Sequence, residues 1–79
     1  MFFISDDMTE FEIVEVFGIR VTNRCASLLR IICDTDINIR LRRGALEKLG
    51  KFGCILALEY IIRNTDIRTD FRNRALEMI

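Results

Sequence analysis

With 79 residues, 51% of them hydrophobic, the chain is too apolar for a disordered tail and too short for more than one domain. Twelve basic and twelve acidic residues cancel, which removes net charge as an argument for nucleic acid or an anionic membrane as partner. Histidine is absent and there are three cysteines without C-x-x-C spacing, which argues against a disulfide framework or a structural zinc site and for a reducing, cytoplasmic location.

The first segment, residues 1–18, carries Asp6, Asp7, Glu10, Glu12 and Glu15 and no base, a charge of −5. Twelve positive against seven negative residues leave 19–79 at +5, so the two parts are electrostatically complementary. Met-Phe-Phe-Ile at the start has no basic flank and does not read as a signal peptide. Asp7 with Glu10, and Thr9 with Glu12, have the spacing of a capping box. Phe11, Val14 and Phe17, with Ile13 and Val16 beside them, then make a helical stripe opposite Glu12 and Glu15. Phe-Glu-Ile-Val-Glu-Val-Phe is also rich in strand formers, but Glu15 falls out of phase with Glu10 and Glu12 for a period of two, which favours a helix over 8–18.

Gly18 breaks that segment, and Val21, Cys25, Leu28, Leu29 and Ile32 mark the buried face of an amphipathic helix over 20–33. Asp34-Thr-Asp forms a turn and cap. The next helix, 38–51, is expected to bury Leu41, Ala45 and Leu49, with Phe52 following them inward, and Gly44 within it suggests the close approach of a neighbour. Gly50-Lys-Phe-Gly is a turn short enough to return the chain antiparallel. Helix 54–63 has only Glu59 and Arg63 as charges and reads as the most buried element. Asn64-Thr-Asp repeats the cap, and helix 68–79 turns Phe71, Ala75, Met78 and Ile79 inward. The cysteines read as small buried hydrophobes. The longest apolar run, 54–58, is far short of the ~20 residues of a membrane span.

Residues 34–49 and 64–79 align without a gap at an offset of thirty. Seven of the sixteen positions are identical: Thr35/Thr65, Asp36/Asp66, Ile37/Ile67, Arg42/Arg72, Ala45/Ala75, Leu46/Leu76 and Glu47/Glu77. Such a period marks a supersecondary unit that buries its apolar face by stacking on a copy of itself. An apolar helix, a turn ending in Asp, then an apolar-Arg pair followed by Ala and Leu resembles the HEAT repeat, and the short spacing is similar to the HEAT-like repeats of phycobilisome-lyase relatives. The stretch Leu41-Arg-Arg-Gly-Ala-Leu-Glu-Lys-Leu-Gly carries this resemblance best, and about residues 20–79 share it. It implies an Asp–Arg ladder across the repeat boundary, built from Asp36, Arg42, Asp66 and Arg72. Both first helices lack the family's proline, and residues 1–18 do not match.

No catalytic constellation stands out: there is no G-x-S-x-G, no phosphate-binding glycine loop, and no base beside Cys54, whose place near a helix start could lower its pKa. The expected fold is all-α, a short α-solenoid of four to five helices in antiparallel pairs forming an α-α superhelix. It is one domain over 1–79, with 1–18 as an N-terminal capping segment, 19–49 as repeat one and 50–79 as repeat two. The expected function is a non-catalytic scaffold, without cofactor or metal, that grips another protein or an acidic peptide segment and also self-associates. Arg40, Arg43, Lys48, Arg68 and Arg74 are the candidate contacts. The alternatives are an accessory or chaperone-like subunit of a pigment-lyase system, which only the resemblance suggests, and a nucleic-acid binder using the basic helix 38–51. The cations of that helix form no continuous stripe and have no exposed aromatic among them to stack on bases, which disfavours the second. No membrane association is expected.

Overall fold

Residues 13–22, expected to hold the end of one helix, a break at Gly18 and the start of the next, fold instead into a β-hairpin in the computed structural model, which describes residues 9–79. Strand β1 (Ile13–Val16) pairs antiparallel with β2 (Ile19–Thr22) in the register Ile13↔Thr22, Val14↔Val21, Glu15↔Arg20 and Val16↔Ile19. Phe17 and Gly18 make the two-residue connection, both with positive φ (51° and 82°), the conformation whose twist matches that of the flanking strands. An αL backbone is costly for a bulky residue; the Phe17 ring stacks on Tyr60 with centroids 5.4 Å apart, which helps to offset that cost. Val14, Val16, Ile19 and Val21 share the inward face, and Glu15 and Arg20 are opposite charges on the outer one. The Asp7 cap and the reading of the first residues as no signal peptide lie outside the described residues.

Four complete helices follow among the described residues. Helix α1 (Asn23–Cys33) starts directly from β2, with Thr22 as its cap: the Thr22 hydroxyl accepts from the Cys25 N–H. Asp34 Oδ1 accepts from the Asp36 N–H in the turn that follows, and Asn64 Oδ1 accepts from the Asp66 N–H thirty residues later. The two Asx turns confirm the internal period at the level of hydrogen bonds. Helices α2 (Ile39–Lys51), α3 (Ile55–Arg63) and α4 (Thr69–Glu77) complete the chain. Helix α1 packs with α2 and α3 packs with α4, and the hairpin lies across α1 and α3.

The core collects Ala26, Leu29, Ile32, Leu46, Leu49, Ala57, Leu58, Ile61, Phe71 and Ala75 from all four helices, closed at the hairpin side by Val16 and Val21. Cys25 and Cys54 are joined by a disulfide, Cα atoms 6.0 Å apart, which overturns the reading of three free thiols and removes the ground on which a reducing compartment was inferred. The bond ties the first turn of α1 to the residue that opens α3. The expected all-α solenoid is likewise overturned: four helices and a two-stranded antiparallel sheet make a small mixed globule. A hairpin set against α1 and α3 and a covalent tie between them close the fold sideways, where a superhelix would continue only along its stack.

Three burial expectations also fail. Leu41 is 67% exposed, while Leu46, one turn further on, is fully buried. Helix α3 is not apolar on all sides in effect, since Ile55 and Leu56 are exposed beside Glu59. Phe52 and Ile79 also lie outside, Phe52 with its ring 4.0 Å from the Arg24 guanidinium. Gly44 has no neighbour close enough to meet a Cβ, so it marks no tight crossing; the tight place is Gly50, where a Cβ would run into the Met78 thioether. Gly44→Ala is therefore expected to stabilise the fold by about 1 kcal/mol through helix propensity alone. Chemical denaturation checks this, and a loss of stability would show a packing contact at Gly44 that the geometry lacks.

Candidate protein-docking surface

Seven of the residues singled out in the sequence sit on α2 and α4 or at their starts, and the structure sorts them into two groups. Arg43 donates to Asp70 at 3.1 Å, and Arg68 reaches the same carboxylate at 3.0 Å. Arg74 forks onto Glu47, both bonds 2.7 Å, and also reaches Glu77 at 3.1 Å. These bonds hold the Glu47 and Asp70 carboxyls below the usual carboxylate range, chiefly through the hydrogen bonds from Arg74 and Arg68 respectively. All these groups are about half exposed, so water screens each pair and its contribution to stability is small. Their main effect is to fix the register of α2 against α4 while using up three of the five expected contact residues. Among the described residues, Arg40 and Lys48 make no ion pair.

The cross-repeat ladder exists, but with other members. The Asp36 and Asp66 carboxylates take part in no hydrogen bond or ion pair with Arg42 or Arg72. Arg42 is buried, and its Nε donates to the Ile32 carbonyl at 2.9 Å, satisfying an end group of α1. Arg72, its counterpart, has a buried Nε with no partner. The bonds that do cross are Arg43–Asp70 and Glu47–Arg74, both 27 residues apart. That spacing of opposite charges, running one way and then the other between two helices, was present in the sequence. Identity at the offset of thirty does not reveal it, because two packed helices exchange complementary residues and not identical ones.

Arg40 and Lys48 border an open cleft of about 310 Å³ between α1 and α2. Leu28, Ile31, Ile37 and Leu41 supply its apolar lining, with Gly44 and Ala45 leaving room at the floor. Leu28 and Lys48 continue into an adjoining hollow with Glu10, Arg24, Ser27 and Phe52. Arg24 lies between the rings of Phe11 and Phe52, 5.2 and 4.0 Å from their centroids, which holds the mouth of that hollow. Most small-molecule sites are enclosed and carry several convergent polar groups, whereas this cleft is shallow, apolar and edged by two cations. Its dimensions and chemistry suit a side-chain row from a helix, with acids to meet the rim.

Groups for other chemistry are not gathered here. Among the described residues no three of His, Cys, Asp or Glu lie in metal-holding proximity. Cys33, the free cysteine, is half-buried, and burial pushes its thiol pKa up against the opposing charge of Arg42, so it is mostly thiol at neutral pH. No helix among the described residues is long and apolar enough to cross a membrane. No family model, curated protein or solved structure matches the chain. The resemblance to HEAT-like repeats is therefore supported by no relative, and the hairpin contradicts the fold it implies.

Proposed function

We propose that the chain is a non-catalytic protein-interaction module that receives an amphipathic, acid-edged helical segment in the α1–α2 cleft. The observation that carries this reading is the pairing of an apolar cleft with two unengaged cations. Leu28, Ile31, Ile37 and Leu41 offer apolar surface, and Arg40 and Lys48 stand at its rim without an acidic partner among the described residues. Burial of such a row supplies affinity, while the rim charges select the sign of the partner and its direction of approach. A nucleic acid is a poorer fit, because Arg43, Arg68 and Arg74 are already paired with acids and Arg40 and Lys48 flank an apolar floor.

The test is a titration of methyl-labelled protein with a synthetic helix bearing leucines at i, i+3, i+4 and i+7 and glutamates elsewhere. The methyl signals of Leu28, Ile31, Ile37 and Leu41 are expected to shift together. Arg40→Glu with Lys48→Glu is expected to weaken the binding about tenfold, two exposed charge contacts of roughly 0.5–1 kcal/mol each. Absence of methyl shifts up to about 1 mM peptide, where even weak complexes form, would overturn the reading.

A further inference from the structure

Building on that reading of the cleft, we propose that its partner is the α4 end of a second copy of this chain, so that copies join head to tail. The argument comes from how the chain packs on itself. Position for position at the offset of thirty, one end of each helix pair is covered and the other is not. Leu46 is fully buried where the second pair packs on the first, yet its counterpart Leu76 is 61% exposed. Phe71 is 1% exposed where the second pair meets the first, yet its counterpart Leu41 is 67% exposed. The same holds on the partner helices: Leu58 and Ile61 are fully buried, while Leu28 and Ile31 are only partly so. The molecule thus shows both halves of one interface, made once within the chain and left open at each end.

Polar details agree with this template. Arg42 bonds the Ile32 carbonyl and sets its guanidinium 5.3 Å from the Phe71 ring of the second pair. Arg72, in the equivalent place on α4, has a buried Nε without a partner among the described residues, so it does not repeat the bond that Arg42 makes within its own pair. Superposing the internal contact on two copies sets Leu76 and Arg72 of one against Leu41 of the other. It also sets Asn73 opposite Arg40, as Arg43 stands opposite Asp70 within the chain, an amide oxygen facing a guanidinium. Glu77, which bonds Arg74 within the chain, comes within a turn of Arg40 and Lys48, neither of which has an ion pair among the described residues. At the counterparts of the two internal ion pairs, like charges therefore do not oppose one another.

Such a contact joins two different surfaces, so it is heterologous and does not close on itself as a two-fold dimer would. This gives it a distinctive test in sedimentation equilibrium. The wild-type chain is expected to gain average mass steadily with concentration. Leu41→Asp and Leu76→Asp, both at exposed positions, are each expected to stay folded by circular dichroism and to weaken association at least tenfold. Mixed in equal amounts, the two variants are expected to form a dimer and nothing larger, because each retains one intact half. A monomeric wild-type chain at about 0.5 mM, or a dimer that either variant forms alone, would overturn the proposal. The peptide titration separates the two readings. If copies do not associate but the acidic helix still shifts the Leu28, Ile31 and Leu41 methyls, the cleft serves another partner; if neither occurs, both readings fall.

Discussion

Reduction of the Cys25–Cys54 bond, or its removal by Cys54→Ala, is expected to lower the unfolding free energy by about 3–4 kcal/mol. The bond closes a loop with a sequence separation of 29, and the loss of loop entropy from the unfolded chain accounts for a value of that order. The number matters because of the size of the molecule. A single core in a chain this short supplies only about 3–5 kcal/mol, so the disulfide carries a large share of the stability. Thermal melts with and without reductant are expected to differ by roughly 15–25 °C. Both sulfurs are buried, so Cys54→Ala adds a small packing loss, whereas Cys33→Ala serves as the control and leaves the reductant effect intact. Coincident melts in both conditions would mean that the two thiols do not pair in solution.

The internal period was legible in the sequence and identified the recurring turn, while apolar spacing and turn residues placed α1 through α4 to within a few residues. Two things were not legible, each for a physical reason. The hairpin was lost because the test for a two-residue period spanned Glu10 and Glu12, which precede the strand; from Ile13 onward Glu15 is in phase, sharing the outer face with Ile13 and Arg20. Phe17-Gly18 carried the turn signal, but a phenylalanine in the αL conformation is a rare choice there, and its stack on Tyr60 lies 43 residues away and has no local trace. The disulfide was lost because odd cysteine count and absent motif spacing speak about frameworks, while pairing needs two Cβ atoms brought together by the fold. In the candidate site, the cations were found but their partners were not. Arg40 and Lys48 looked no different from Arg43 and Arg74 until α2 and α4 were set side by side, which left only the first two at the cleft.

Phe71→Ala is expected to be the most damaging single truncation outside the disulfide, costing about 3–5 kcal/mol, while Leu41→Ala at the equivalent position of the first pair is expected to cost under about 0.5 kcal/mol. Phe71 is 1% exposed and is the largest fully buried side chain. Its ring also lies among three guanidiniums, those of Arg42, Arg68 and Arg43, at 5.3, 5.6 and 5.9 Å from the centroid. Three cations around one ring would repel, but Asp70 accepts from both Arg43 and Arg68 and from the Phe71 N–H at 3.0 Å, which offsets part of that charge beside the ring. Removing the ring therefore leaves a cavity and takes away the surface on which these groups are arranged. Phe71→Leu separates the two parts, since it refills much of the volume and restores none of the ring's charge distribution; an intermediate loss of about 1–2 kcal/mol is expected. Denaturant midpoints for the four proteins decide the matter. Equal losses for Phe71→Ala and Leu41→Ala would mean that the two helix pairs are covered alike, and the difference between the closed and open halves of the interface would disappear with it.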